Sequence, residues 1–329
     1  MAKDKKNKPI FYSTAMARAI QEEMAADNKI VYMGEDVGAF GGTMFKNGLY
    51  AEYGETDRLI EMPIAENLIV GSALGMAEAG MRPVCELMYA DFVSLAFDPI
   101  CNEAAKYRFM SCGKHSAPMT IVTFQGTLDG SGCMHSQCVE SWIANVPGLK
   151  IVVPTIASDA YGLFKTAIRD DDPVVFLAGK TCLFTKDVVP EEEYAIPFGK
   201  ARIAKEGKDI TIVSWQKGYQ ITMAAAAELE AEGISVEVID PRTLMPFDKD
   251  TVLESVKKTG RFMVVHEAPV KYGVGAEIAE MVTENAFSDL KASPVRIGAP
   301  WIPIPSFQVE EQLLTKDMVI KAAKDLMKK

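Results

Sequence analysis

The stretch "PIAENLIVGSALGMAEAGMRPVCELM", residues 63–88, decides the fold. Behind a proline-led turn, small and apolar residues read as a helix, and "RPVCELM" then reads as a short strand. A helix that feeds an apolar strand is half of a β-α-β unit, and the pattern repeats on both sides. Upstream, "STAMARAIQEEMAAD" opens with Ser and Thr and carries apolar residues at helical spacing. It is followed by the strand "KIVYMG" and the loop "EDVGAFGG". Downstream come "PMTIVTF", "LKIVVP", the helix "SDAYGLFKTAIRDD" and "PVVFLA". Residues 186–200 are charged, contain proline and have no period, which predicts a linker. A second alternating set then runs from "DITIVSW" through "ISVEVID" and "RFMVVHE" to "VRIG". Short apolar strands separated by helices predict parallel sheets covered on both faces. The expected fold is therefore α/β with two parallel-sheet domains. A tail at 1–8 precedes a first domain at 9–185, and the linker leads to a second domain at 201–329.

With 329 residues the chain can bury two cores. Its 48% apolar and 24% charged residues are those of an ordinary soluble protein. The net charge of −10, with both signs mixed along the chain, argues against a nucleic-acid partner. No apolar run reaches the roughly 18 residues of a membrane span. The N-terminus "MAKDKKNKPIF" is basic without an apolar segment behind it, and reads as a solvated tail rather than a secretory signal. Six cysteines are too few for a disulfide scaffold in a chain this long, so they are expected to be reduced thiols in a cytoplasmic protein.

Several motifs carry little weight. "VKYGVGAEI" lacks the third glycine of a dinucleotide loop, so Gly273 and Gly275 read as close-packing positions. "CGKH" and "CMHSQC" do not have the ligand spacing of a zinc site, and "LDGSG" lacks the Gly-Lys-Ser/Thr of a phosphate loop. No G-x-S-x-G is present. Glu66 is the odd residue of the opening stretch, a carboxylate at the start of a helix otherwise built for burial. Its plainest reading is an acid at the positive end of the helix dipole.

The segments "GEDVG", "PIAENLIVGSALGMAEAGMRP", "DFVSLAFDPICNEAAKYRFMSCG", "HSQCVESW" and "PGLKIVVPT" occur in this order. "GISVEVIDPRTL", "SVKKTGRFMVVHEA" and "GVGAEIAE" extend the set. Together they resemble the β subunit of a thiamine-diphosphate-dependent 2-oxo acid dehydrogenase of the pyruvate dehydrogenase type. The chain is similar also to the acetoin dehydrogenase β subunit. The likeness runs from residue 9 to the C-terminus. It implies a transketolase-like pyrimidine-binding domain followed by a transketolase C-terminal-like domain.

The resemblance also implies roles for particular residues. Glu66 would face a ring nitrogen of the cofactor's aminopyrimidine and favour the imino tautomer that takes the proton from the reactive carbon. Glu35, in the "GED" loop, borders the same pocket, with a plain surface acid as the alternative. Phe92 would pack on the pyrimidine, with a core aromatic as the alternative. His135, in "HSQ", would reach the reacting group as a proton or hydrogen-bond donor, with Gln137 orienting the loop. A structural potassium ion would be held by backbone carbonyls of Ala117, Met119, Thr120, Ala167, Asp170 and Asp172.

Two segments depart from the family pattern. "VTFQGTLDGSG" stands where relatives have an Arg and then P-x-G, and "AGK" where they have E-x-K. The Gly-Asp-Gly and Asn-Asn pair that holds the divalent metal and diphosphate in this family is missing from the chain. The resemblance therefore implies an α subunit that carries magnesium, an α2β2 heterotetramer with β–β contact, and a lipoyl acyltransferase that receives the acyl group. The alternatives are the C-terminal half of a split transketolase and a non-catalytic assembly subunit.

Overall fold

The computed structural model describes residues 8–38, 48–128, 130–306 and 313–329. All but the last residue of the expected tail at 1–8 lies outside them, as does part of the loop behind "KIVYMG".

In the first domain β1 (Ile10–Phe11) runs into α1 (Tyr12–Ala26), and β2 (Ile30–Gly34) follows. The Ser and Thr that open α1 lie inside its first turn; Phe11 holds the cap position and makes no side-chain cap bond. After α2 (Leu49–Tyr53) and β3 (Leu59–Glu61), the opening stretch folds as α3 (Glu66–Glu78) and β4 (Arg82–Leu87). Tight helical turns between Ala90 and Lys106 end in α4 (Tyr107–Met110). The domain continues through β5 (Thr120–Gln125), α5 (Glu140–Ala144), β6 (Lys150–Val152), α6 (Ala157–Arg169), β7 (Val174–Gly179) and β8 (Lys186–Asp187). In the second domain come β9 (Arg202–Lys205), β10 (Ile210–Ser214), α7 (Gln216–Ala231), β11 (Val236–Asp240) and β12 (Thr243–Met245). The chain ends with α8 (Lys249–Thr259), β13 (Phe262–Pro269), α9 (Gly275–Ala286), β14 (Val295–Ala299) and α10 (Lys316–Met327). Asp248 caps α8 by accepting the Thr251 N–H, and Gly260 ends it in the left-handed region at φ 72°.

The larger sheet has seven strands in the order β12-β6-β7-β5-β4-β2-β3, and the smaller five in the order β14-β13-β10-β11-β9. Both are parallel except at one edge, where β12 lies antiparallel to β6 and β9 antiparallel to β11. The expected two parallel-sheet domains are present, each with one antiparallel edge strand. These edge strands are short, and β9 has no fully buried residue, so neither carries the apolar run that marks the central strands. β12 also departs from a simple division of the chain, since a strand of the second half completes the first half's sheet. Residues 186–200 begin with β8 paired to β1, and Tyr194, Ile196 and Phe198 then pack on the first domain.

One face of the large sheet is covered by α1 and α6 around Tyr12, Ile20, Phe164 and Phe176. The core on the opposite face runs from α3 through Val175 and Leu177 to Val213 and Trp215 of the second domain. The two domains thus share a core. Arg202 and Arg242 both pair with buried Asp159, and Arg202 also with Asp240.

Candidate active site

The carboxyl ends of β2, β4, β5 and β7 point the same way, and the loops leaving them carry the candidate residues. α3 follows a proline turn and starts with Glu66, which is 5% exposed. Among the described residues none donates a hydrogen bond to its carboxylate. Its oxygens are not among the fully buried polar atoms that lack a partner, so the carboxylate stays open at the molecular surface.

Glu66 has acidic company. Burial and then the charge of Glu66, followed by those of Asp36 and Glu61, push the Glu35 carboxyl up. Glu61, at the end of β3, accepts the N–H groups of Asp36 at 2.6 Å and Gly38 at 2.5 Å, which shapes the loop behind Glu35. Glu86 on β4 is 1% exposed. Burial pushes its carboxyl up to about 7, against a hydrogen bond donated by the Tyr32 hydroxyl and with a smaller upward push from Glu35. Among the described residues its second oxygen has no partner. The sequence reading passed over Glu86, although a Glu inside the apolar strand "RPVCELM" was its signal.

His135 lies at the end of a helical turn of Gly132–Met134. Its ring meets Tyr89 edge-on at 4.8 Å between centroids and Phe92 at 5.4 Å, and those two rings are 6.0 Å apart. Phe92 and His135, separated by 43 positions in the chain, therefore share one aromatic cluster (135 − 92). Gln137 donates from its side-chain amide to Asp91 at 2.8 Å and from its backbone at 3.2 Å, which ties the "HSQ" segment to the turn bearing Phe92. α3 packs against that same turn, which brings the Glu66 helix and the His135 cluster to one region. Tyr89 and Asp91 left no sequence signal beyond their place in "YADF".

The unusual loop behind β5 is held from the second domain. Glu267 accepts the Thr127 N–H at 2.7 Å and its hydroxyl at 2.6 Å. Gly126, at φ 89°, is required there, because a Cβ would come within 2.4 Å of the Glu267 carboxylate. Deeper in, Gln125 donates to Glu140 at 2.8 Å, and Trp215 donates to the same oxygen at 3.0 Å. All six cysteines are free thiols. Among the described residues no group of three or more His, Cys, Asp or Glu side chains could hold a metal ion. Nor, among them, is any helix long and apolar enough to cross a membrane.

The residues of the expected potassium site lie at the opposite ends of the strands. Thr120 opens β5 opposite Val174 of β7. Four of the six carbonyls already accept bonds or protein cations nearby. Ala117 accepts from the Met119 N–H at 2.8 Å, Met119 from Val174 at 3.0 Å, and Ala167 from Asp170 at 3.2 Å. The Asp170 carbonyl accepts from the Arg82 guanidinium at 2.9 Å. Lys150 reaches the Asp170 carboxylate at 2.5 Å, and Arg108 that of Asp172 at 2.5 Å. Three protein cations therefore already serve this corner.

Residues 8–184 match the transketolase pyrimidine-binding domain and residues 199–324 the transketolase C-terminal domain. The pyruvate dehydrogenase E1 component subunit beta of Acholeplasma laidlawii is 44% identical over 88% of this chain and 89% of its own length. The acetoin:2,6-dichlorophenolindophenol oxidoreductase subunit beta of Cupriavidus necator is 40% identical over 95% and 96%. The 2-oxoisovalerate dehydrogenase subunit beta of Bacillus subtilis is 40% identical over 89% and 90%. A solved structure described as a split-gene transketolase, inactive beta4 tetramer, superposes with a TM-score of 0.80 over 98% of this chain and 99% of its own, at 24% identity. The chain belongs to the family of transketolase-like β subunits that includes those of the pyruvate, 2-oxoisovalerate and acetoin dehydrogenases.

Proposed function

We propose that this chain is the pyrimidine-binding β subunit of a thiamine-diphosphate-dependent dehydrogenase component acting on a 2-oxo acid or on acetoin. The observation that carries this reading is Glu66, a residue only 5% exposed at the head of a helix, whose carboxylate accepts no hydrogen bond from the described residues. A cofactor ring nitrogen bearing a proton satisfies it. Thiamine diphosphate, when bound, supplies the carbanion chemistry that breaks a carbon–carbon bond beside a carbonyl. Glu66 would hold the aminopyrimidine by its proton, and Glu35 would border it and keep its surroundings anionic. Phe92 would offer a flat apolar wall. His135, held in a cage of rings, would donate a proton or hydrogen bond as the acyl group passes to lipoamide on an acyltransferase.

The diphosphate and its magnesium would belong to an α subunit in an α2β2 assembly. The surface beside Glu66 supports a shared site. Ile64 is 78% and Leu68 51% exposed on the turn around it, and an added Cβ on Gly71 or Gly75 of α3 meets nothing within 4 Å. An assembly subunit without chemistry would not need an acid of 5% exposure that accepts no bond from the described residues, and the relatives named above favour the dehydrogenase reading over a split transketolase. The carbonyls of Ala117, Met119, Ala167 and Asp170 each accept a hydrogen bond, so a potassium ion here would use their remaining lone pairs.

Co-expression with an α subunit carrying the Gly-Asp-Gly and Asn-Asn pair tests the function. Turnover of pyruvate, a branched 2-oxo acid or acetoin by the co-purified pair is expected. A pair inactive on all three, but active in transferring two-carbon units between sugar phosphates, would replace this reading with the transketolase one.

A further inference from the structure

Lys180 stands just beyond β7 in "AGK" and is 2% exposed, yet nothing in the reaction above uses it. A lysine is seldom fully buried without a reason. Its ammonium donates to the main-chain carbonyl of His135 at 2.5 Å and approaches the Ser131 hydroxyl at 3.4 Å. It also lies 5.1 Å from the centre of the Tyr89 ring, which packs edge-on against the His135 imidazole.

The two ends of this contact differ in stiffness. Lys180 is rooted at the end of a central strand, paired through Gln125 and Gly179. The segment it grips has Gly130 and Gly132 at φ 72° and 74°, residues that bring little conformational preference of their own. A charge-assisted hydrogen bond to a main-chain oxygen fixes where the His135 backbone sits. The Tyr89 and Phe92 rings then limit where the imidazole can turn.

We propose that Lys180 is a positioning residue for His135, acting through the His135 carbonyl and the Tyr89 ring. The inference rests on the reading of His135 as the proton or hydrogen-bond donor of acyl transfer. Lys180 touches no reacting atom; it keeps the imidazole where it is needed.

The chain contains three histidines, so imidazole resonances of the full-length 15N-histidine-labelled protein can be assigned by single substitutions. Lys180→Met keeps length and bulk but removes the donors. It is expected to shift and broaden the His135 signals and to leave those of His115 and His266 in place. In the α–β complex it should lower acyl transfer to lipoamide by roughly 100-fold, the scale of a small misplacement of a catalytic group. It should add no loss in a His135→Ala background, since the two residues act as one unit. Lys180→Arg, which retains a charged donor, should recover part of the rate. If Lys180→Met does not fold, Lys180→Gln is read in the same way. Unchanged His135 signals in a folded variant, or losses that multiply with His135→Ala, overturn the proposal. Altered signals with full acyl transfer in His135→Ala overturn the role of His135, and the catalytic part of this inference with it.

Discussion

At the scale of single residues, Glu66 separates a helix-start acid from a cofactor contact. Glu66→Gln keeps the shape and removes the charge. Because no described residue donates to the carboxylate, the neutral amide forfeits no hydrogen bond within the chain and should not lower its melting temperature. Thiamine-diphosphate-dependent turnover in the α–β complex should fall by orders of magnitude. A residue that served only the helix dipole would behave in the opposite way, with up to about 1 kcal/mol of stability lost and turnover intact. Melting curves and steady-state rates on the same preparations distinguish the two. For His135, replacement by Ala should leave the fold in place and cut acyl transfer by about 100- to 10,000-fold, the usual contribution of one acid–base group. Assays with lipoamide check this, and a wild-type rate would remove His135 from the chemistry.

At the scale of elements, the seam between β13 and α9 shows how a sequence reading can be right about packing without naming the partner. Gly273 and Gly275 were read as close-packing positions, and the surface they meet is the His266 ring. A Cβ on either would come within 2.7 Å of it. The ring is stacked on Trp215 at 5.4 Å, and burial pushes its pKa down to about 4, against a smaller upward pull from the Ala268 carbonyl. Below its ordinary value of 6.5 the unfolded chain takes up a proton here that the native chain refuses. Between about pH 6.5 and about 4 this site therefore removes stability as the pH falls. Glu86, raised to about 7, works the other way above its ordinary 4.5, because the native state holds the extra proton. The His266 contribution is isolated by comparing slopes: urea unfolding across the window should show the wild type losing more stability on acidification than His266→Gln. Parallel pH profiles would mean that His266 titrates normally in the fold. The central strands and the helices between them were legible because their apolar period is strong, whereas α10, beyond "VRIG", was not read. Edge strands β9 and β12 were not, since pairing rather than composition makes them strands. Within the site, Glu66, Glu35, Phe92 and His135 lie in motifs, whereas Tyr89, Glu86 and Lys180 matter through contacts made across the sheet. A single polar residue in or beside an apolar strand, as in "RPVCELM" and "PVVFLAGK", was the only trace that Glu86 and Lys180 left.

At the scale of the whole molecule, the chain gathers acids where a diphosphate would need cations. Glu35, Glu61, Glu66 and Glu86 converge around β2, β3 and β4, and the chain as a whole carries a net charge of −10. Such a surface suits a ring nitrogen with a proton and opposes a free polyanion. Among the described residues, Lys180 is already engaged with the His135 segment and Lys217 with Glu267 and Thr127. Magnesium would offset the repulsion only if oxygen ligands held it on the phosphate side, and the family's Gly-Asp-Gly and Asn-Asn pair is missing from this chain. The purified chain by itself should therefore neither retain thiamine diphosphate nor turn over substrate. Calorimetric titration with the cofactor, with and without magnesium, is expected to give no heat of specific binding until an α subunit is added, and then one cofactor per α–β pair. Tight magnesium-dependent binding to the isolated chain would mean that it completes the site without a partner, and the shared-site reading would be lost. Binding that appears with the α subunit but is weakened in Glu66→Gln would locate the pyrimidine half on this chain.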